Sequence, residues 1–318
     1  MHRRASQWYE DNHFPDNAIN HALEAKDWER AIKIIKEQYT NKLHNGEYVT
    51  LHNWLQKIPE EVIYRNLDLC NAYSIVLITF SQFDAADSFI NHIEKAGKSD
   101  NITLQGDIAS LRSMIAYWRG DLDQALELGE KALLILTPDN TDRRSDLFMM
   151  MGFNYWQRGR FKEAEPLLTK AVEVGRKSGD YLYTANALSL LGDMYTVRGK
   201  LRRAFELHQQ AIELAGSFPS AAVSHGSLSA LYYEWNDLEA AVHHVQQAID
   251  LSQLMGGQGL PPRLNAMLAR YRLAQGDEAG AMKALEKACL IAHNSGSPDM
   301  RVEHAAFHIL LALEVIYK

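Results

Sequence analysis

The chain has 318 residues, a net charge of −7, and 47% apolar against 23% charged residues, a balance that fits a well-cored globular protein and excludes a disordered one. No window approaches the ~18 uncharged apolar residues a membrane span needs; the most apolar stretch, Tyr73 to Phe80, is far shorter. Lys and Arg are interspersed with Asp and Glu, so no basic stripe faces a phosphate backbone, and neither direct nucleic acid contact nor a membrane partner is expected.

The first residues carry Arg3 and Arg4, followed by Gln, Glu, Asp and Asn instead of an apolar signal core, so export is not expected. Cys70 and Cys289 stand alone, without CxxC spacing, and point to a reducing, cytoplasmic compartment. Trp8 and Tyr9 fall on an opening amphipathic segment. Pro15 or Asp16 starts a helix ending near Ala25, Asp27 caps another running to about Tyr39, and Pro59 opens a further one after Lys57. Residues 1–66 read as an irregular helical leader.

Beyond it a repeat governs the pattern. Turn positions fall at Ser81, Gly120, Gly159, Gly199, Asn236 and Gly276, separated by 39, 39, 40, 37 and 40 residues. Seven residues before each turn stands a small residue: Ser74, Ser113, Gly152, Gly192, Ser229 and Ala269. Five residues after each stands an alanine, at Ala86, Ala125, Ala164, Ala204, Ala241 and Ala281. Twelve after stand Ile93, Ala132, Ala171, Ala211, Ala248 and Ala288. Two antiparallel helices approach closely only where the facing positions are small, and each hairpin buries its remaining apolar face by stacking on the next. No long stretch alternates with period two, so β-sheet is not expected.

Leu191, Gly192 and Tyr195, like Met151, Gly152 and Tyr155, form a small-residue motif that resembles the tetratricopeptide repeat, although the period here is near 40 residues, longer than that family's usual ~34. The resemblance implies an all-α fold, a right-handed superhelix of helix hairpins, with six repeats over residues 67–318 at about 67–105, 106–144, 145–180, 181–220, 221–260 and 261–318. Loops at Thr137 to Asp142, Lys177 to Tyr181 and Gly256 to Pro262 absorb the added length.

The leader is more specific. Within HRRASQWYEDNHFPDNAINHALEAKDWERAIKII, the residues Ala18, Ile19, His21, Ala22, Leu23, Asp27, Trp28, Glu29, Arg30 and Ala31 match a pattern that follows the nucleotide-binding module in large ATP-binding transcriptional regulators of the LuxR type, the MalT-like family. LHNWLQKIPEEV, Leu51 to Val62, resembles that family's next helix and its Pro-Glu-Glu turn. The resemblance implies an ATPase module before the helical array and a DNA-binding helix-turn-helix after it. No GxxxxGK[ST] stands in this sequence, and the nearest run, Gly97-Lys98-Ser99, has His92 where the first glycine belongs. No cofactor is expected here, ATP being assigned to the other module, and both ends of the chain read as boundaries within a longer protein.

Chemistry of catalysis or metal binding is not expected. His304 and His308 lie one helical turn apart, but Ala305 follows the first, so HExxH is absent and no third ligand is apparent. Ser, Asp and His residues occur without a nucleophile elbow. Recognition remains. In stacked hairpins the first helix of each pair lines the concave face, and counting from the small residue selects Asp107, Ser110, Met114, Tyr117 and Trp118, then Asp146, Met149, Phe153, Trp156 and Gln157. Later repeats add Asn186, Ser189 and Asp193, then Tyr233 and Glu234, then Arg263 and Arg270.

Aromatic faces beside amides and carboxylates can hold a polar metabolite, clamp a peptide backbone or pack between repeats. The resemblance implies that the array binds a small-molecule inducer in its groove, with a regulatory protein or self-association as further contacts. The other reading is a scaffold for a protein or peptide. Asparagines at matching positions would favour a peptide backbone, but Asn71 and Asn186 occupy different ones, which leans towards a small molecule.

Overall fold

The computed structural model describes residues 1–96, 102–216, 218, 220–253 and 261–295. Among the described residues it is all-α, with seventeen helices and no strand. The chain divides into two compact units, Met1–Tyr183 and Thr184–Lys318.

The first unit opens with α1 (His2–Asp11), α2 (Pro15–Glu24), α3 (Trp28–His44), α4 (Tyr48–Leu55) and α5 (Glu60–Tyr64). α2 starts where Pro15 presets the first turn, and α5 follows Pro59, as the sequence indicates. α3 runs a turn beyond Tyr39 because Ile34, Ile35 and Lys42 keep one face buried to its end. Three hairpins follow: α6 (Leu67–Thr79) with α7 (Phe83–Ala96), α8 (Ile102–Trp118) with α9 (Leu122–Ile135), and α10 (Thr141–Gln157) with α11 (Phe161–Ser178).

α12 (Tyr181–Val197) begins at the last residues of the first unit. The second unit continues with α13 (Leu201–Ala215), α14 (Ala221–Glu234), α15 (Leu238–Gln253), α16 (Pro261–Ala274) and α17 (Glu278–Ser295).

Local chemistry explains the hairpins. All six turn positions adopt positive φ, from 57° at Ser81 to 85° at Gly120, the left-handed conformation that ends one helix and reverses the chain. After three of the turns an aspartate caps the second helix: Asp121 accepts from the Gln124 N–H, Asp237 from Ala240 and Asp277 from Gly280. The alanines five residues past the turn are 0–5% exposed, and the small residues before it let the partner helix close in. A Cβ added at Gly152 would stand 2.7 Å from Leu168, and one at Gly192 would stand 2.6 Å from His208. A core running from Ala18 to Met150 joins the leader helices to the first three hairpins.

Among the described residues no helix is long and apolar enough to cross a membrane, and no group of three or more His, Cys, Asp or Glu is placed to hold a metal ion. His304, His308 and Gly97-Lys98-Ser99 lie outside the described residues.

Candidate functional site

In the first unit a repeated register runs through the residues expected to line the groove. Asn71, Ser110 and Met149 stand ten residues before their turns, and Asp68, Asp107 and Asp146 thirteen before. On α6 and α8 these positions meet: Asn71 Nδ2 donates to Asp107 Oδ2 at 3.5 Å. Asn140 Nδ2 donates to the other oxygen of Asp107 at 3.2 Å, Arg143 Nη2 donates to Asn71 Oδ1 at 3.2 Å, and Arg143 Nε lies 3.9 Å from Asp107. Asp107 and Asn71 are therefore spent on each other and on Arg143.

One repeat later the corresponding pair is Ser110 and Asp146. Neither Ser110 Oγ nor Asp146 Oδ1, both sealed from solvent, has a hydrogen-bond partner, and Ser110 is fully buried. Burial pushes the Asp146 carboxyl well above the ordinary range; Arg143 opposes this, and Asp180 and Asp142 add to it. Tyr39, Tyr48 and Tyr183 complete the surroundings and stay protonated, Tyr39 and Tyr48 chiefly through burial and Tyr183 chiefly through Tyr48.

The wall of this region is a corner of the leader folded onto α10 to α12. Gly46, at φ 71°, turns the chain from α3 to α4, and Lys42 fastens the turn by donating to Asp16 at 2.8 Å and Glu47 at 2.7 Å. From this corner His44 Nε2 reaches within 3.5 Å of Asp142 and 4.0 Å of Asp180. Tyr48 and Tyr183 share a hydroxyl hydrogen bond, and Tyr39 donates to the Ala72 carbonyl at 2.9 Å. Asp180 also accepts from the Tyr183 N–H at 3.0 Å, which caps α12.

The other expected residues of this unit form an aromatic lane. Tyr117 meets Trp118 edge-on at 5.3 Å and Phe153 at 6.3 Å, and Phe153 stacks on Trp156 at 5.3 Å. Trp118 is 60% exposed and Gln157 is exposed, Met149 is half-buried, and Met114 belongs to the core. Burial raises the Tyr117 hydroxyl to about 12.

In the second unit Asn186 is half-buried, and Ser189 is buried, donating to the Ala185 carbonyl and sharing a hydrogen bond with Ser224. Asp193 accepts from Ser227 at 2.7 Å and stands 3.5 Å from His208 Nε2, whose Nδ1 is 3.3 Å from Ser224 Oγ. This Ser224, His208 and Asp193 line has the residue types of a hydrolytic triad, yet Ser224 and His208 are 0% exposed, so no substrate reaches the hydroxyl. Tyr233 stacks on Tyr271 at 4.9 Å with Arg270 4.4 Å over its ring, while Glu234 and Arg263 are exposed.

Sequence reasoning missed Tyr39, His44, Tyr48, Asp142, Arg143, Asp180 and Tyr183. Arg143 and Tyr183 both stand sixteen residues before their turns, so extending the groove register by one helical turn finds those two. The leader residues carry no such signal.

Left-handed hairpin turns and alanine-packed helix pairs define a tetratricopeptide-like helical repeat protein. The family model described as the MalT-like TPR region matches residues 106–314, and the chain belongs to that family. Its relatives include the HTH-type transcriptional regulator MalT of Serratia proteamaculans, 23% identical over 93% of this chain and 34% of that protein, and the regulator of the same name from Yersinia pestis, 22% identical over the same shares. The chain thus spans about a third of the length of these relatives. Among solved structures it is similar to a signal transduction ATPase with a tetratricopeptide repeat sensor from Pyrococcus horikoshii, with a TM-score of 0.69, 17% identity, and coverage of 97% of this chain and 49% of that one. It is also similar to the apo quorum sensor NprR from B. thuringiensis, with a TM-score of 0.62, 14% identity, and coverage of 95% and 81%. At these identities the structural likeness concerns the fold alone.

Proposed function

We propose that this chain is the sensing region of a MalT-like transcriptional activator and that its effector, a small molecule, seats on the inner face of the first unit around Asp146 and Ser110. One observation carries the reading: two polar atoms sealed from water lack partners where the preceding repeat pairs its own. A buried polar group without a partner costs about 1–3 kcal/mol, a cost a ligand removes once a shift of the surrounding side chains lets it reach these atoms. Membership of the MalT-like family and relatives named as transcriptional regulators support the regulatory role. In this reading the region is non-catalytic and cytoplasmic, with six hairpins over residues 67–318 after a leader of 66 residues, and ATP and DNA belong to other modules of the regulator. The effector acts by binding one global state better than another, since equal affinity shifts nothing.

The aromatic lane of Tyr117, Phe153 and Trp156, half-buried and ending at the exposed Trp118, favours a second reading, a scaffold for a peptide or protein partner. A thermal-shift screen of metabolites, repeated on Asp146→Asn and on Tyr117→Ala with Trp156→Ala, separates them. A hit lost with Asp146 supports effector sensing at this face. A hit indifferent to Asp146 and lost with the aromatic pair moves the site to the lane.

A further inference from the structure

One constellation of two histidines and a tyrosine occurs twice. Around the Asn236 turn, His225 stands eleven residues before, Tyr232 four before and His244 eight after. Around His13, which turns α1 into α2 at φ 64°, His2, Tyr9 and His21 stand at the same three offsets. The α1–α2 hairpin also keeps a packing pair of the repeats. Ser6, seven before the turn, donates to the carbonyl of Ala18, five after it, at 2.8 Å, as Ser113 donates to that of Ala125 at 2.6 Å. Hairpin register therefore brings the two histidines together.

The geometry is the same at both hairpins. His225 Nδ1 and His244 Nδ1 lie 2.9 Å apart, and the Tyr232 ring stacks on His244 at 5.1 Å and 16°. His2 Nδ1 and His21 Nδ1 also lie 2.9 Å apart, and Tyr9 stacks on His21 at 5.3 Å and 13°. The second-unit pair is the better held: His225, Tyr232 and His244 are half-buried, whereas His2 is exposed. Imidazole nitrogen is a ligand that suits copper, nickel and zinc. With metal–nitrogen bonds of about 2.0–2.1 Å, nitrogens 2.9 Å apart subtend about 90° at the ion, the angle of neighbouring ligands in a square or octahedral field. Among the described residues no third His, Cys, Asp or Glu is grouped with the pair to hold a metal, so water fills the remaining positions. His243 meets His244 edge-on with ring centres 5.5 Å apart and is exposed.

We propose that the His225–His244 pair binds a divalent ion of the copper and nickel class, with Tyr232 fixing the plane of one ring. In the metal-free chain the two nitrogens share a hydrogen bond, so one Nδ1 carries a proton. On coordination that proton moves to Nε2 of the same ring, and rotation about the soft Cβ–Cγ bonds turns both Nδ1 lone pairs to the ion. The ion then ties α14 to α15. The site belongs to the second unit and does not depend on the effector reading.

The test is calorimetric titration of the whole chain with nickel chloride at neutral pH, beside His225→Gln, His244→Gln and His243→Gln. Wild type and His243→Gln are expected to bind one nickel ion more than either of the other two variants. Any binding at His2 and His21 is common to all four proteins and cancels in the comparison. Nickel is also expected to raise the thermal midpoint of wild type, and EDTA to restore it, because the ion binds the folded hairpin and not the unfolded chain. Circular dichroism checks that the variants fold. Should one not fold, imidazole nitrogen NMR of wild type decides: substoichiometric nickel broadens the His225 and His244 signals. Equal nickel binding by wild type, His225→Gln and His244→Gln overturns the proposal, as does an ion lost only in His243→Gln. Absence of nickel binding up to about 1 mM, or His225 and His244 signals left sharp, overturns it as well.

Discussion

His44 lies 3.5 Å from Asp142, so the corner between α3 and α4 is held against the start of α10, although most of the first unit lies between them in sequence. The Tyr48–Tyr183 hydrogen bond and the approach of Leu182 to Gly46 belong to the same contact. Tyr48 and Tyr183 in this contact feel the Asp146 carboxyl.

Removing its histidine loosens the corner without unfolding the unit. His44→Ala is expected to speed amide hydrogen exchange at residues 44–48 and 179–183, with global stability falling by no more than about 1 kcal/mol because Asp142 is half-exposed. Unchanged exchange at residues 179–183 would show that Tyr48 and Tyr183 hold the corner alone.

Asp146→Asn is expected to stabilise the ligand-free protein at neutral pH. Its folded pKa is raised above the ordinary 3.8, so over the interval above 3.8 the folded state keeps a proton that the unfolded state has lost, and stability falls as pH rises. Asparagine does not titrate. The gain is therefore largest near pH 7 and vanishes towards pH 4, which urea unfolding at several pH values checks. A variant less stable than wild type at pH 7 contradicts the assignment of Asp146 as a strained carboxyl.

His208 gives the opposite slope in the second unit. Burial lowers its pKa from 6.5 to about 4, so between these values the unfolded state binds the extra proton and stability is lost as pH falls. The loss from this group is at most about 3 kcal/mol. His208→Leu removes that part of the acid limb, and leucine fits because Leu168 occupies the same register against Gly152. His225, also lowered to about 4, retains a share. Parallel pH profiles for wild type and variant would reject this account.

Two glycine substitutions separate packing from backbone conformation. Gly152→Ala pushes a methyl to 2.7 Å from the Leu168 side chain and 3.2 Å from its backbone N, costing about 1–3 kcal/mol through overpacking. Gly159→Ala meets nothing within 4 Å but must hold φ at 71°, costing about 1–2 kcal/mol. Restoring space with Leu168→Ala rescues the first variant in part and leaves the second unchanged, as chemical denaturation would record.

Much of the architecture could be read along the chain. Ser81 and Asn236 sit at turns as readily located as the glycine ones, because the spacing to Ala86 and Ala241 marks them. Of the groove residues that register selects, Asp107 is hydrogen-bonded and Ser110 is buried, whereas Met114 fills the core and Trp118 faces solvent. Register places a residue on a helix face and does not say how near the neighbouring side chains come.

By itself the sequence determined what is settled within one hairpin: helix lengths, left-handed turns and the small residues at which paired helices touch, all decided by φ preference and volume over a few residues. Only the tertiary structure decided that Asp107 is hydrogen-bonded by Asn71 and Asn140 while one oxygen of Asp146 has no partner, and that the His44 corner meets Asp142 at the start of α10. Those outcomes depend on which side chains from distant helices arrive within hydrogen-bond reach, and a reach of about 3 Å is fixed by packing of the whole unit.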